Sequence, residues 1–370
     1  MRKGMRVNPE PRPRILEIEP YVGGKANIDG KDNIIKLSSN ESANGPSPLA
    51  VEAYMSHANL IGRYPDGGAE DLRTALGSLH KIDADQIVCG AGSDEILQLI
   101  CKAYSGPGDE VLFTEHSFLV YRLAALAAGA TPVAVPEVNL QADVDQILNA
   151  VSENTKIVFI ANPNNPTGSY LSSTKLDILW RGLPENVLLV IDGAYAEFVG
   201  SKDYDAGKNL VSKARNVVMT RTFSKIYALA SLRIGWCYAP QSIVDVINRV
   251  RGPFNVSGAA LNTALAALSD LEHISKAISI NKKWLDKLPL ALEGTRLKCF
   301  PSVGNFILIQ FPEEVGINSK SADKYLRQNG IIVRNVDSYG LPNCLRVTLG
   351  LDHEMDIFID LLKTFMGNYE

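Results

Sequence analysis

The sequence predicts an α/β protein with a large domain, built on a mostly parallel sheet with helices on both faces, and a smaller α+β domain. Between residues 85 and 250, short apolar runs rich in Val and Ile alternate with amphipathic segments of helical period. This alternation is typical of parallel strands joined by helical crossovers. After residue 300 the order changes, because three apolar runs surround one helical segment. A chain of 370 residues is long enough for two such cores.

Clusters of Gly, Pro and Asn separate the apolar runs and set the bounds of each predicted element. The predicted strands cover residues 34–37, 86–89, 110–113, 131–135, 155–160, 186–191, 216–219, 233–238, 305–310, 330–336 and 344–349. The predicted helices cover residues 70–79, 94–104, 121–128, 172–181, 241–250, 321–327 and 352–366, with a long helical stretch over 259–292. From these elements we predict an N-terminal arm over residues 1–45 that also contributes to the small domain, a large domain over 46–270 and a small domain over 271–370.

Composition narrows the kind of partner. Lys and Arg (37) nearly balance Asp and Glu (41), and no basic stripe of the kind that binds nucleic acid is present. No run reaches the ~20 apolar residues that a membrane span needs. Five scattered cysteines without CxxC spacing indicate reduced thiols and no metal site, and the basic N-terminus lacks the apolar region of a signal peptide. We therefore expect a cytoplasmic protein that acts on small molecules.

A small-residue turn, Ala91-Gly92-Ser93-Asp94, joins the strand at 86–89 to the next helix. We predict that Ser93 is the N-cap of this helix. Backbone N–H groups and the positive end of the helix dipole converge at such a turn, which favours an anion. The spacing is neither GxGxxG nor a Walker loop, so dinucleotide and triphosphate sites are disfavoured. A turn that uses Gly and Ser only for geometry remains an alternative.

Polar residues follow three consecutive predicted strands. Asn165 lies just after the strand at 155–160, Asp192 after the strand at 186–191, and Lys225 in a hydroxyl-rich turn after the strand at 216–219. The carboxyl ends of parallel strands form one ligand-binding edge, so these side chains should meet in one cleft. In isolation, a lysine in such a turn is most often a solvated charge. Its functional alternative is a Schiff base with an aldehyde cofactor.

Pyridoxal phosphate (PLP) at Lys225 would require a carboxylate at its pyridine nitrogen, hydrogen-bonding groups at its ring hydroxyl and a cradle for its phosphate. Every role has a candidate in the sequence. The candidates are Asp192 for the nitrogen, Tyr195 and Asn165 for the hydroxyl, Phe118 for the ring face, and residues 91–94 (Gly92, Ser93 and Asp94 among them) with Thr222, Ser224 and Arg233 for the phosphate.

Four motifs carry a family resemblance, and in chain order they are NPNNPTG, DGAY, RTFSKIYALASLRIG and CLRVTLG. Together they resemble the fold-type I PLP-dependent aminotransferases related to aspartate aminotransferase. The resemblance implies that Lys225 is the Schiff-base lysine and proton shuttle, and that Arg233 binds the cofactor phosphate. On its own, Tyr64 is interpreted equally well as a residue packed on a proline turn. The resemblance implies instead that Tyr64 reaches the cofactor of the neighbouring subunit in a homodimer.

A narrower resemblance is to the histidinol-phosphate aminotransferase family, and it rests on EPYVGGK, KLSSNESANGPSP, RYPDGG, GAGSDEI, IIVRNV and LRVTLG. It implies transfer of the amino group of L-histidinol phosphate to 2-oxoglutarate, in histidine biosynthesis. Tyr21, from across the dimer interface, and Arg334 and Arg346 would bind the substrate phosphate, which suits the geometry of paired guanidinium groups. Asn40 and Asn165 would also contact the substrate.

Three alternatives remain open at this point. The amino donor could be an aromatic or another amino acid. A PLP-dependent decarboxylase of a phosphorylated amino acid would also use paired arginines. A non-catalytic binding module could retain the same fold, although an intact Lys225 argues against it.

Overall fold

A computed structural model describes residues 10–20, 27–31 and 33–367, and these residues form two sheets. Their strands are β1 (Ile35–Leu37), β2 (Ile87–Gly90), β3 (Glu110–Thr114), β4 (Thr131–Val135), β5 (Thr155–Ala161), β6 (Leu188–Asp192), β7 (Val217–Thr222), β8 (Gly235–Tyr238), β9 (Lys298–Cys299), β10 (Phe306–Gln310), β11 (Ile331–Asn335) and β12 (Cys344–Thr348). Their helices are α1 (Pro48–Ser56), α2 (Glu70–His80), α3 (Ser93–Tyr104), α4 (Val120–Ala128), α5 (Val144–Ala150), α6 (Ser173–Gly182), α7 (Lys208–Val211), α8 (Gln241–Val250), α9 (Gly258–Ser269), α10 (Leu271–Ala291), α11 (Ser319–Gln328) and α12 (Asp352–Gly367).

The larger sheet has seven strands in the order β2-β8-β7-β6-β5-β3-β4. All neighbours pair in parallel except β8, which is antiparallel to both β2 and β7. Successive residues of a central strand enter different cores: Ile191 packs into one apolar cluster and Val190 into the other. Both faces of the sheet are therefore covered, and the predicted mostly parallel α/β architecture is confirmed.

The smaller sheet has five strands in the order β1-β11-β12-β10-β9. Its first strand comes from near the start of the chain and pairs in parallel with β11, so Ile35 lies beside Ile331. The other strand pairs are antiparallel, and Trp284 of α10 and Phe358 of α12 belong to the core on this sheet. This is the α+β pattern expected of the small domain. The division at residues 45 and 270 itself stays a prediction.

The predicted helices differ from the observed ones in two informative places. The stretch over 259–292 is two helices, because the Asp270 side chain caps the second one by accepting from the His273 backbone N–H. The prediction that Ser93 is an N-cap is wrong: Gly92 holds that position with φ +82°, and Ser93 is the first helical residue. A positive φ is strained for serine but not for glycine, so the cap moves one residue back.

Helices α1 and α5 were not predicted, although both begin at a recognisable cap. The Ser47 hydroxyl accepts from the Ala50 backbone N–H, and Pro48 occupies the first helical position of α1. Asp143 caps α5 by accepting from the Gln146 N–H. Within residues 10–20, 27–31 and 33–367, no helix is both long and apolar enough to cross a membrane.

Candidate active site

A cavity of about 210 Å³ lies at the carboxyl ends of β5, β6 and β7, and residues of both sheets line it. Most of the candidate site residues line it. Those residues are Asn40, Ser93, Asp94, Phe118, Asn165, Asp192, Tyr195, Thr222, Ser224, Lys225, Arg233, Arg334 and Arg346. The ends of these three consecutive strands converge, as expected from the sequence, because β5, β6 and β7 are neighbours in the sheet.

Two candidates among the described residues are not in the lining of this cavity. Gly92 lies just behind it, in contact with Arg233. Tyr64 lies outside the cavity, with 84% of its surface exposed, and its ring stacks on Phe254 at 4.6 Å between centroids. Tyr21 lies outside the described residues.

Asp192 is buried at the end of β6. Its Oδ2 accepts from the Tyr121 hydroxyl at 2.9 Å, and its Oδ1 accepts from Thr220 Oγ1 at 3.0 Å. Burial raises the pKa of the Asp192 carboxyl to about 6, although the hydrogen bonds from Tyr121 and Thr220 lower it. The carboxylate is therefore mainly ionised at neutral pH and is fixed in orientation. It can hold a protonated ring nitrogen.

Lys225 lies three residues after β7, and its Nζ donates to the Ser39 carbonyl oxygen at 3.2 Å. The same Nζ is 5.7 Å from the ring centroid of Tyr195. Burial, together with the positive charge of Arg346, lowers the pKa of the Lys225 amine to about 8. A substantial fraction of the amine is thus neutral near physiological pH, which a nucleophile for an aldehyde requires.

A buried hydrogen-bond network joins the two sheets beside Lys225. Arg346 of β12 donates from Nη1 to Asn165 Oδ1 at 2.5 Å and from Nη2 to the Ser38 carbonyl oxygen at 2.7 Å. Asn40 donates from Nδ2 to the Tyr195 hydroxyl at 2.9 Å, and its Oδ1 accepts from Thr348 Oγ1. Asn165 and Tyr195 are therefore oriented by groups of the smaller sheet and of the segment that follows β1.

An anion cradle forms where α3 begins beside the β7 turn. The N-cap Gly92 offers no side-chain cap bond, so the first turn of α3 keeps backbone donors for a ligand. Thr222 Oγ1 donates to Ser224 Oγ at 3.0 Å, and Arg233 Nη1 donates to the same Ser224 oxygen at 3.4 Å. Arg233 Nη2 also lies 3.4 Å from a carboxylate oxygen of Asp94.

Close backbone approach makes this cradle possible. A Cβ on Gly92 would lie 2.5 Å from Arg233 Nη2, and a Cβ on Gly235 would lie 2.4 Å from the Ser93 backbone nitrogen. The cradle therefore combines helix-terminal N–H groups, two hydroxyls and one guanidinium group, which is a donor set that suits a phosphate.

Arg334 of β11 and Arg346 of β12 line the same cavity from the smaller sheet. They are directly opposite each other in the β11–β12 pair. Two guanidinium groups at one position indicate a site for a doubly charged anion.

Other cavity residues had not been singled out from the sequence. Tyr121 and Thr220 hold Asp192, Ser38 and Ser39 accept from Arg346 and Lys225 through their carbonyl oxygens, and Tyr339 also lines the cavity. Tyr121 follows Phe118 by three residues, which is helical spacing, and this was the one signal in the sequence that could have identified it.

Known aminotransferases are similar to this chain over most of its length. The family model "Aminotransferase class I and II" matches residues 32–362. A histidinol-phosphate aminotransferase of Paramagnetospirillum magneticum is 54% identical over 359 residues, which cover 97% of this chain and 99% of the relative. A histidinol-phosphate aminotransferase of Rhodospirillum rubrum is 49% identical and covers 98% of each chain.

A solved structure is similar over the whole length. It is the histidinol-phosphate aminotransferase of Sinorhizobium meliloti in complex with pyridoxal-5'-phosphate, with a TM-score of 0.90, 26% identity, and coverage of 99% of this chain and 100% of that one. The chain belongs to the class I and II aminotransferases, and within them to the histidinol-phosphate aminotransferase family. The fold-type I architecture and the prediction of a PLP-dependent aminotransferase are thereby confirmed.

Proposed function

We propose that this enzyme transfers the amino group of L-histidinol phosphate to 2-oxoglutarate, giving imidazole-acetol phosphate and L-glutamate in histidine biosynthesis. The observation that carries the proposal is the Arg334–Arg346 pair, which lies in the same cavity as Lys225 and Asp192. A phosphate dianion on the substrate matches two guanidinium groups better than a single carboxylate does. The names of the relatives support the same substrate.

The residues of the cavity fit PLP. Asp192 would hold the ring nitrogen, Asn165 and Tyr195 the ring hydroxyl, and Phe118 would lie against the ring. Ser93, Asp94, Thr222, Ser224 and Arg233 would surround the phosphate, with Gly92 allowing the close approach. When bound, PLP supplies an electron-withdrawing ring that stabilises negative charge at the α-carbon of the substrate.

Lys225 moves the proton in this proposal. Because the pKa of its amine is lowered to about 8, Nζ can take up a proton near neutral pH and give it back. The contact with the Ser39 carbonyl oxygen keeps Nζ on the cavity side of the turn. Asp192, ionised at the same pH, balances a proton on the ring nitrogen without taking part in that transfer.

At the substrate end, Asn165 accepts from Arg346 and Asn40 lines the same cavity, so both amide groups would contact the substrate. Arg346 is already tied to Asn165, so it would bind the substrate anion and orient a cofactor contact together. Tyr21 would complete the phosphate site from a second subunit.

We also propose that the enzyme is a cytoplasmic homodimer in which Tyr64 reaches the cofactor phosphate of the neighbouring subunit. The support is the position of Tyr64 on the surface, within a segment that exposes Leu60, Ile61 and Met55 as well. The five free cysteines suit a reducing compartment. Sedimentation equilibrium at micromolar concentration should give twice the chain mass, and a monomer would contradict the proposal.

The substrate is tested in a single half-reaction. The PLP-loaded protein is mixed with L-histidinol phosphate or with L-phenylalanine, and conversion of the cofactor is followed by absorbance. We expect faster conversion with L-histidinol phosphate and recovery of the starting spectrum on addition of 2-oxoglutarate. Lys225→Ala should lower the rate at least about 10³-fold, since it removes the proton-transferring amine. Faster conversion with L-phenylalanine, or release of CO₂ independent of 2-oxoglutarate, would overturn the assignment.

A further inference from the structure

A buried ion pair lies directly behind the active site, on the opposite side of β7 from the cavity. Arg221 Nη2 is 2.8 Å from Glu197 Oε1, and only 9% and 11% of the two side chains are exposed. Buried ion pairs are often no more stabilising than apolar residues of the same volume, because desolvation offsets the attraction. A contribution to stability alone is therefore a weak explanation for this ion pair.

The position of Arg221 in β7 connects the pair to the active site. Its neighbours Thr220 and Thr222 both face the cavity side, where they bond Asp192 and Ser224. Side chains alternate along a strand, so Arg221 points the other way, with its guanidinium carbon 5.9 Å from the ring centroid of Trp236. Arg221 is also four residues before Lys225.

Glu197 lies at the other end of the turn that carries Asp192 and Tyr195. The beginning of this turn is fixed to β7, because the Gly193 backbone N–H donates to the Thr220 carbonyl oxygen at 2.9 Å. Its end is fixed by Glu197, in the short 3₁₀ helix Ala196–Phe198, which reaches back to Arg221. Both anchors of the turn are thus on the strand that leads to Lys225.

We propose that Arg221 and Glu197 are positioning residues, whose ion pair holds Tyr195 at the distance from Lys225 that the cofactor requires, while the pairing of β6 with β7 holds Asp192. The inference rests on the proposed role of Tyr195 in binding PLP. It assigns a function to two residues that touch neither the substrate nor the cavity.

The surroundings keep Arg221 charged. Burial by itself lowers the pKa of Arg221, but the charge and hydrogen bond of Glu197, with Tyr204 and Tyr227, together raise the pKa above its ordinary value. Burial and the Arg221 charge lower the pKa of His80, whose ring centroid is 5.1 Å from that of Trp236, to about 4, so His80 adds no positive charge beside Arg221 at neutral pH. Tyr204 and Tyr227 also face the pair, and burial raises the pKa of both.

The pair has little redundancy. Within the part of the chain that the structure describes, Glu197 Oε2 and Arg221 Nε have no hydrogen-bond partner. Gly193 packs so closely that a Cβ there would lie 3.0 Å from Arg221 Cδ. Loss of the single Glu197–Arg221 contact therefore frees the end of the turn while its beginning stays paired.

The test is a pH titration of the PLP-loaded protein, followed by its visible absorbance. Its readout is the midpoint, which is the pH at which half of the absorbance change has occurred. A hydrogen bond from Tyr195 to the ring hydroxyl lowers this midpoint, so Tyr195→Phe should raise it by about one pH unit. Glu197→Ala should raise it in the same direction by a smaller amount, because Tyr195 is loosened and not removed. Arg221→Lys keeps both charges but shortens the side chain, so it should also raise the midpoint. This variant carries the test if Glu197→Ala fails to fold.

Asp323→Ala is the matched control. Asp323 forms a partly buried pair with Arg327 inside α11, with 19% and 25% of the side chains exposed, and its Oδ1 also lacks a hydrogen-bond partner among the described residues. Its loss should lower the midpoint of urea unfolding of the cofactor-free protein without moving the absorbance midpoint. Two outcomes separate the hypotheses. If Tyr195→Phe causes no shift, the proposed role of Tyr195 fails. If Tyr195→Phe shifts the midpoint while the Glu197 and Arg221 variants behave like Asp323→Ala, the positioning inference alone is overturned.

Discussion

The two ends of the cavity are built in different ways. The end proposed for the cofactor uses side chains from β5, β6 and β7, which are consecutive in the chain and adjacent in one sheet, and Asp192 lies directly opposite its partner Thr220. The end proposed for the substrate uses β11, β12 and the segment after β1, where Arg346 reaches the carbonyl oxygen of Ser38.

The residues proposed for the chemical step and the arginines proposed for substrate recognition therefore come from different sheets. Consecutive crossovers fix Asp192 and Lys225 with respect to each other inside one sheet, as an invariant chemical step requires. The groups around Arg334 and Arg346 come from distant parts of the chain and from a separate sheet. Arg346 couples the two ends, because it donates to Asn165. A change at Arg334 can alter substrate selectivity while the sheet that carries Asp192 and Lys225 stays the same.

The largest expected effect concerns Lys225 at the cofactor end. It tests whether burial of this amine lowers the free energy of unfolding. The pKa of Lys225 falls from 10.5 to about 8 on folding, so the charged form is disfavoured in the fold. The stability contributed by this group is present above pH 10.5 and is lost as the pH falls through about 8. In the cofactor-free protein at about pH 7, Lys225→Met should therefore raise the free energy of unfolding by up to about 3 kcal/mol.

Urea unfolding at neutral pH and near pH 10.5 measures this effect, and the difference between the two proteins should vanish at the higher pH. The control is Lys213→Met, because Lys213 is a half-exposed surface lysine paired with Asp177. Equal stability of Lys225→Met and the unsubstituted protein at neutral pH would show that Lys225 is not strained by its site.

The next effect tests the substrate end. Arg334→Leu should lower kcat/KM for L-histidinol phosphate by about 10- to 100-fold, as expected for loss of one charge-assisted hydrogen bond to a phosphate. Transamination of L-phenylalanine, which carries no phosphate, serves as the internal control and should change little. Steady-state kinetics with both donors decides the matter. A similar loss for both substrates would place Arg334 in the shared machinery and remove the contrast between the two ends.

The smallest effect tests how firmly Asp192 is held. Thr220→Val removes the hydroxyl that donates to Asp192 Oδ1 at 3.0 Å, while the Tyr121 bond remains. Burial already raises the pKa of Asp192 to about 6, and loss of this donor should raise it further. We expect PLP to bind about tenfold more weakly in a fluorescence titration of the cofactor-free protein. Thr220→Ser keeps the hydroxyl and should bind normally; equal weakening in both variants would point to packing instead.

The cofactor end was accessible from the sequence for a physical reason. Asn165, Asp192 and Lys225 each follow an apolar run, and a parallel sheet places such positions along one edge. The chemistry of PLP then assigned a residue to each role. These assignments needed only local patterns and one topological rule.

The remaining contacts leave no comparable pattern. Ser38 and Ser39 act through backbone carbonyl oxygens, which every residue has. Tyr121 lies on the apolar face of α4, where its ring stacks on Phe159 at 4.7 Å, and its polar contact is a single hydroxyl. Gly92 could not be identified as the N-cap from the sequence, because glycine permits a positive φ but does not impose one.

The parallel pairing of β1 with β11 has a consequence for the order in which the molecule is completed. During synthesis, Ile35 emerges early, but its neighbour Ile331 is added almost 300 residues later. Contacts of such separation form late, because a long loop must close before they are gained. The segment that supplies Ser39 to Lys225 and Ser38 to Arg346 directly follows β1. A nascent chain that stops before β11 therefore lacks the partner strand that holds this segment beside Lys225.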